Sequence, residues 1–270
     1  MKTLSVGVIG LGAIGTRVVK ILSKEFSKEA RVEFLCDLRK DRISFVQKKW
    51  APRAKALPWE DLVERSDLVI EAASKEIALA VAERALHQNK QVLILSVGGL
   101  LVSNGLPSAL AKTKGRLWIP SGALAGVDGL LAANQGRIQR VTLTTRKPLA
   151  GLEGAPFFHQ KKIRLSSITK PTLIFEGNAL DAIAAFPRNV NVAATLALAG
   201  LGPKKTRVRL FASPTYLHNQ HEVEIVGDFG RIRTEVENFP TQDNPRTSEL
   251  AVLSTLATLR KIFGHVHIGT

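Results

Sequence analysis

With a single cysteine in 270 residues, the chain cannot form an intramolecular disulfide, and no Cys or His spacing suggests a structural zinc site or any other metal. Cys36 falls in a strand-like run and reads there as a small buried side chain. Long hydrophobic runs are also missing. Val192 to Leu201 is apolar but reaches only about half the length that a bilayer span requires, so no membrane partner is expected. Low-complexity tracts and a convincing internal repeat are lacking, which excludes solenoids and disordered linkers as the main architecture. Met1-Lys2-Thr3 leads straight into a strand-like run, so no signal peptide and a cytoplasmic setting are expected.

The composition, 45% hydrophobic and 23% charged, is that of a globular protein long enough for two domains. The formal charge of +15 is unusual, and alone it points to nucleic acid or a membrane surface. Its distribution argues otherwise, with +8 on residues 1–120 and +7 on residues 121–270. An even spread describes a solvated basic surface that can steer anionic ligands. No nucleic-acid partner is expected.

Gly10-Leu11-Gly12-Ala13-Ile14-Gly15 closes the apolar run Leu4 to Ile9 and opens a helical pattern from Thr16 to Leu22. Arg31 to Cys36 forms the next strand-like run, and Asp37 follows at the distance expected of a dinucleotide-binding βαβ unit. In such a unit the first glycine makes the tight turn, the second lets the backbone approach a pyrophosphate, and the third lets helix and strand pack closely. An ordinary βα turn is the competing reading. Asp37 is expected to accept hydrogen bonds from a ribose 2′-hydroxyl and to repel a 2′-phosphate. NAD is therefore the expected cofactor, with NADP tolerated because Arg39 and Lys40 soften that repulsion.

Further along, Asp41 to Lys49, Trp59 to Arg65, Glu76 to Gln88 and a segment near Pro107 to Lys112 read as helical, and Leu68 to Ala73, Gln91 to Leu95 and Arg116 to Ile119 as buried strands. This alternation predicts an α/β fold with a Rossmann-type doubly wound parallel sheet over residues 1–120. Its strand ends carry Gly10, Gly12, Ala13, Ile14, Asp37, Ala73, Ser74, Val97 and Gly98 as candidate cofactor contacts; for the later ones, simple turn chemistry is the alternative. From 121 to 246 the rhythm changes to longer alternating runs, Ile138 to Thr145, Arg207 to Ala212 and Glu222 to Val226. These predict a smaller α+β catalytic domain with a mixed or antiparallel sheet. Asn178 to Phe186 and Asn191 to Gly200 read as helices, and an amphipathic helix at 247–263 is expected to complete the first domain.

Five segments of the second half resemble those of the L-aspartate dehydrogenase family. They are Gly122-Ala123-Leu124-Ala125-Gly126, Phe175-Glu176-Gly177-Asn178-Ala179, Phe186-Pro187-Arg188-Asn189-Val190-Asn191-Val192-Ala193, His221-Glu222-Val223-Glu224 and Asn244-Pro245-Arg246-Thr247-Ser248. The resemblance implies NAD(P)-dependent oxidation of L-aspartate to iminoaspartate, which hydrolyses to oxaloacetate and ammonia or feeds NAD biosynthesis. It implies a homodimer, places Asn189 and the Ala123 backbone beside the nicotinamide, and matches His221 to the catalytic histidine. A related enzyme acting on homoserine or a cyclic imine, or a dinucleotide sensor without turnover, are the alternatives.

Strand parity puts His221, Val223 and Ile225 on one face and Glu222 and Glu224 on the other, so His221 is expected to point inward for general acid/base work, on a proton of the substrate amine or of the water that attacks the imine carbon. A hydrogen-bonded core histidine is the plainer reading. For the substrate carboxylates the candidates are Arg146 and Lys147 at a strand end and Arg246, Thr247 and Ser248 at the entry of the last helix, Thr247 and Ser248 being equally able to cap that helix. Asn189 likewise reads as a helix cap or a carboxamide partner.

Overall fold

The computed structural model describes residues 3–101, 113–187, 191–242 and 244–270, without the side chains of residues 245 and 246. The chain divides into two compact units. One takes in the chain up to Leu100, the segment ending at Pro120 and Val252–His267; the other takes in Ser121–Ala251 and Ile268–Thr270.

The first unit alternates β1 (Leu4–Ile9), α1 (Ala13–Glu25), β2 (Ala30–Cys36), α2 (Lys40–Lys49), β3 (Lys55–Ala56), α3 (Trp59–Arg65), β4 (Leu68–Glu71), α4 (Lys75–His87), β5 (Gln91–Ile94) and β6 (Arg116–Trp118). Among the described residues these strands form one parallel sheet in the order β3-β2-β1-β4-β5-β6. The order reverses at β1 and β4, the switch point beyond which doubly wound sheets bind ligands. Val6, Val8, Leu68, Ile70 and Leu93 are fully buried, as strands covered on both faces require. They join Val18, Val19 and Leu22 of α1 in the core of this unit.

The second unit contains α5 (Val127–Ala133), β7 (Ile138–Pro148), α6 (Pro156–Lys161), β8 (Thr172–Asn178), α7 (Ala179–Ala185), α8 (Asn191–Ala199), β9 (Thr206–Ser213), β10 (Asn219–Gly227), β11 (Gly230–Asn238), β12 (Pro240–Thr241) and β13 (Asn244–Ser248). Its main sheet runs β11-β10-β7-β9-β8, with β7 and β9 parallel and the other pairs antiparallel. One face of this mixed sheet packs Val141, Leu143, Val208, Val223 and Ile225 against Leu130 of α5 and Ala193, Leu196 and Ala197 of α8. The opposite parity carries ion pairs across neighbouring strands: Arg140 and Arg231 on Glu224, Arg146 and Arg233 on Glu222.

Several boundaries differ from the sequence reading. The strand expected over Leu68 to Ala73 stops at Glu71, because the Glu71 carboxylate itself takes the backbone N–H groups of Ala73 and Ser74. The last helix, α9 (Glu249–Phe263), begins two residues later than 247, because Ser248 is held in β13 by pairing with Pro240. Cys36 is only partly buried. Strands β8 and β11 have no counterpart in that reading, and the segment near Pro107 to Lys112 lies outside the described residues. No described helix is long and apolar enough to cross a membrane.

Candidate active site

In the first unit the glycine loop is shaped by close approach. Gly10 has φ +88°, and a Cβ there would stand 2.6 Å from the Ala72 carbonyl and the Ala73 Cα. A Cβ on Gly15 would lie 1.9 Å from the Gly10 carbonyl oxygen, so only glycine lets α1 start this close to β1. Gly12 is different: a Cβ there would meet nothing within 4 Å. It caps α1 without any side-chain hydrogen bond, and with the space beside it open the start of this helix is suited to an anion.

Asp37, just past the end of β2, is anchored in place. Its Oδ2 accepts from the Leu11 N–H at 2.7 Å and its Oδ1 from the Arg39 N–H at 2.8 Å, with Arg42 Nη1 3.6 Å from Oδ2. The Arg39 guanidinium turns away to Asp41. A carboxylate tied to the glycine loop, next to an uncapped helix N-terminus, fits the ribose and pyrophosphate of a dinucleotide.

Beside this loop Glu71, fully buried at the end of β4, accepts four hydrogen bonds. Ala73 N–H, Ser74 N–H and Ser96 Oγ donate to Oε1 at 2.8–2.9 Å, and Ser96 N–H donates to Oε2 at 3.1 Å. Burial pushes its carboxyl above the usual range, and those four donors pull against the shift. Glu71 thus laces together the loops after β4 and β5, which carry Ala73, Ser74, Val97 and Gly98. A carboxylate inside an otherwise apolar strand is the sequence signal for it.

The second unit holds a cleft of about 620 Å³ whose wall includes Lys147, Asn219, Asn238, Thr247 and Ser248. Register explains how residues spread over a hundred positions meet there. His221 on β10 pairs with Thr145 on β7, and Asn219 pairs with Asn238 on β11. One step toward the strand end, Lys147 Nζ donates to Asn219 Oδ1 at 3.3 Å. Asn238 continues the row: its Nδ2 donates to the Ala123 carbonyl at 3.2 Å, and its Oδ1 accepts from Ser248 Oγ at 2.6 Å.

The parity inferred from sequence holds for His221, Val223 and Ile225, which are buried, whereas Glu222 and Glu224 face the arginines. His221 is 4% exposed, with Nδ1 3.1 Å from Thr145 Oγ1, and stands one ladder step behind the cleft wall. Burial, then the neighbouring Lys147 charge, pushes its pKa down to about 3, so the ring is neutral at physiological pH. Lys147 is 5% exposed, and burial pushes its pKa down to about 8. Arg146 has the opposite parity and pairs with Glu222 at 3.0 Å, away from Lys147.

Of the residues singled out from sequence, Gly10, Gly12, Ala13, Ile14, Asp37, Ala73, Ser74, Val97 and Gly98 fall in the first unit. Lys147, Ala123, His221, Thr247 and Ser248 gather in the second. Asn189 lies outside the described residues. Asn219 and Asn238 were missed, since nothing in one strand announces the register that joins them.

A doubly wound parallel sheet with an open glycine-lined helix start, followed in the same chain by a mixed sheet that buries an amine and an imidazole beside a cleft, defines a nicotinamide-dependent oxidoreductase. A family model described as aspartate dehydrogenase, C-terminal, matches residues 128–262, and one described as homoserine dehydrogenase, NAD binding domain, matches residues 10–118. The L-aspartate dehydrogenase of Methanosarcina barkeri is 41% identical, with 99% of this chain and 100% of that protein covered. That of Bradyrhizobium diazoefficiens is 36% identical, covering 99% and 94%. The crystal structure of aspartate dehydrogenase from Thermotoga maritima matches with a TM-score of 0.74 at 26% identity, covering 99% of this chain and 100% of the other. The chain belongs to the L-aspartate dehydrogenase family.

Proposed function

We propose that this protein oxidises L-aspartate at Cα, yielding iminoaspartate that water converts to oxaloacetate and ammonia. In this reading the first unit is the dinucleotide-binding domain and the second carries the substrate and the dimer contacts. The α1 N-terminus at Gly12, Ala13 and Ile14 receives the pyrophosphate, and Asp37 receives the adenosine ribose. Bound NAD supplies the hydride acceptor. The observation that carries the reading is the row Lys147–Asn219–Asn238–Ser248 with His221 one step behind it. It offers a cation, amides and a hydroxyl to a small dicarboxylate, next to an imidazole.

Lys147, Thr247 and Ser248 bind the substrate, and Asn189 and the Ala123 backbone orient the nicotinamide carboxamide. His221 handles the proton of the water that adds to the imine carbon. Its low pKa belongs to the unliganded cleft; the carboxylates of a bound substrate raise the proton affinity of the ring, because opposite charge favours the imidazolium. NAD is preferred and NADP tolerated, since Asp37 repels a 2′-phosphate while Arg42, 3.6 Å from the Asp37 carboxylate, offsets part of that repulsion.

The test is reduction of NAD at saturating L-aspartate, followed by absorbance, against D-aspartate, L-glutamate and homoserine. Rates with L-aspartate at least about tenfold above the others are expected, and a preference for homoserine would overturn the substrate. Cytoplasmic homodimerisation is part of the same proposal and is carried by the family resemblance; light scattering should give twice the 29.3 kDa of one chain.

A further inference from the structure

We propose that Lys147 is the base that takes the proton from the α-ammonium group of the substrate before hydride leaves Cα. The proposal rests on the aspartate-oxidising reading above and assigns a step that reading leaves open.

An α-ammonium nitrogen has no lone pair. The Cα–H bond can give up hydride only if the nitrogen supplies a pair for the new C=N bond, so a base must act first. Among the described residues, the ionisable side chains in or beside the cleft are Lys147, Glu153, His218 and His221. Transfer from an ammonium to a carboxylate or an imidazole runs uphill, whereas transfer from one amine to another is close to balanced, which is the condition for efficient general-base catalysis.

Position agrees with chemistry. His221 stands behind the wall against Thr145 Oγ1, the His218 ring packs on Phe239 with centroids 4.6 Å apart, and Glu153 is exposed. Lys147 forms the wall itself, its Nζ directed by Asn219 Oδ1. From the strands around it, β9 presents apolar Ala212, β10 presents Asn219 and neutral His221, β11 presents Asn238, and β13 presents Thr247 and Ser248. Burial lowers the Lys147 pKa to about 8, so a neutral amine is accessible near physiological pH.

In the step itself, Lys147 Nζ forms a new N–H bond to the ammonium proton, and the electrons of the broken bond remain on the substrate nitrogen as a lone pair. That pair then forms the C=N bond as the two electrons of Cα–H leave as hydride, for which NAD is the oxidant. The products are the iminium form of iminoaspartate, NADH and a lysine ammonium that returns its proton to solvent.

Two substitutions separate base from anchor. Lys147→Arg keeps a cation but removes a titratable lone pair; Lys147→Met removes both. With the unsubstituted protein, kcat/KM for L-aspartate should rise with pH through a limb near 8, as Lys147 loses its proton. In Lys147→Arg, succinate should still bind within about threefold by calorimetry, while kcat falls about 10²- to 10⁴-fold and that limb disappears. Carbon NMR of protein labelled at lysine Cε reads the same group without substrate or cofactor: one resonance should titrate near 8 and be absent from Lys147→Met. Retention of the limb and of kcat within tenfold in Lys147→Arg would overturn the base assignment, as would the absence of any lysine titrating below about 10. Failure of the unsubstituted protein to oxidise L-aspartate would instead overturn the substrate reading.

Discussion

Glu71 and Lys147 are both buried ionisable groups, one in each unit, and their surroundings differ in kind. Glu71 is held by four donors, three of them backbone N–H groups, in loops fixed by the parallel sheet. Lys147 bonds the side chain of Asn219 and His221 that of Thr145, and burial lowers the proton affinity of both. A carboxylate with its lone pairs satisfied by the main chain is a structural element. Groups whose protonation is made easy to change, beside an open cleft, are suited to proton transfer. The first unit thus commits its buried charge to shape, and the second keeps its buried bases available for chemistry.

The sharpest way to break this comparison is His221→Ala. If the second unit supplies the acid/base groups, kcat with L-aspartate should fall about 10²- to 10⁴-fold. NADH affinity, read by fluorescence titration, should stay within about threefold, because the dinucleotide cradle lies in the first unit. An unchanged kcat would return His221 to the role of a core residue bonded to Thr145.

The glycine loop provides the next largest effect, and it distinguishes fold from function within one motif. Gly15→Ala places a methyl 1.9 Å from the Gly10 carbonyl oxygen, which neither backbone can yield easily, so a loss of about 1–3 kcal/mol or more in stability is expected by urea denaturation. Gly12→Ala meets nothing within 4 Å and should leave stability within about 0.5 kcal/mol. Its methyl nevertheless occupies the approach to the α1 N-terminus, so NADH affinity should drop about tenfold, or about 1.4 kcal/mol. Equal stability losses in the two variants would refute the division of labour.

These two motifs also show what could be read from the chain. The loop from Gly10 to Gly15 is local: its strand, turn and helix are contiguous, and Asp37 follows one helix and one strand later, so periodicity and spacing suffice. The parity of His221 was legible for the same reason, since alternation is a property of one strand. The cleft was not legible in full. Lys147, Asn219 and Asn238 meet through the register of β7, β10 and β11, which is set by sheet packing rather than by any single segment, and Ser248 joins them from the separate β12-β13 pair through its bond to Asn238. Lys147, Thr247 and Ser248 stand out by their chemistry in the sequence, whereas Asn219 and Asn238 acquire a role only through the pairing of β10 with β11. Ser248 was taken for a residue of the last helix, because the apolar periodicity of that helix runs up to it while the short pairing with Pro240 leaves no periodic trace.

The smallest expected effect on catalysis falls on Glu71, and it tests whether the buried carboxylate is structural. Glu71→Gln keeps the volume and can keep its carbonyl oxygen at the Oε1 position, preserving the bonds from Ala73, Ser74 and Ser96 Oγ. The amide nitrogen then takes the place of Oε2 and points a donor at the Ser96 N–H, which is itself a donor. Both donors are left without an acceptor, at a cost of about 1–3 kcal/mol that a thermal melt should register as a lower Tm. Because the loops after β4 and β5 move apart where these donors conflict, NADH affinity should weaken along with stability, while the pH limb near 8 assigned to Lys147 stays where it is. A shift of that limb in Glu71→Gln would mean that the two buried charges are coupled, and the contrast drawn between them would have to be abandoned.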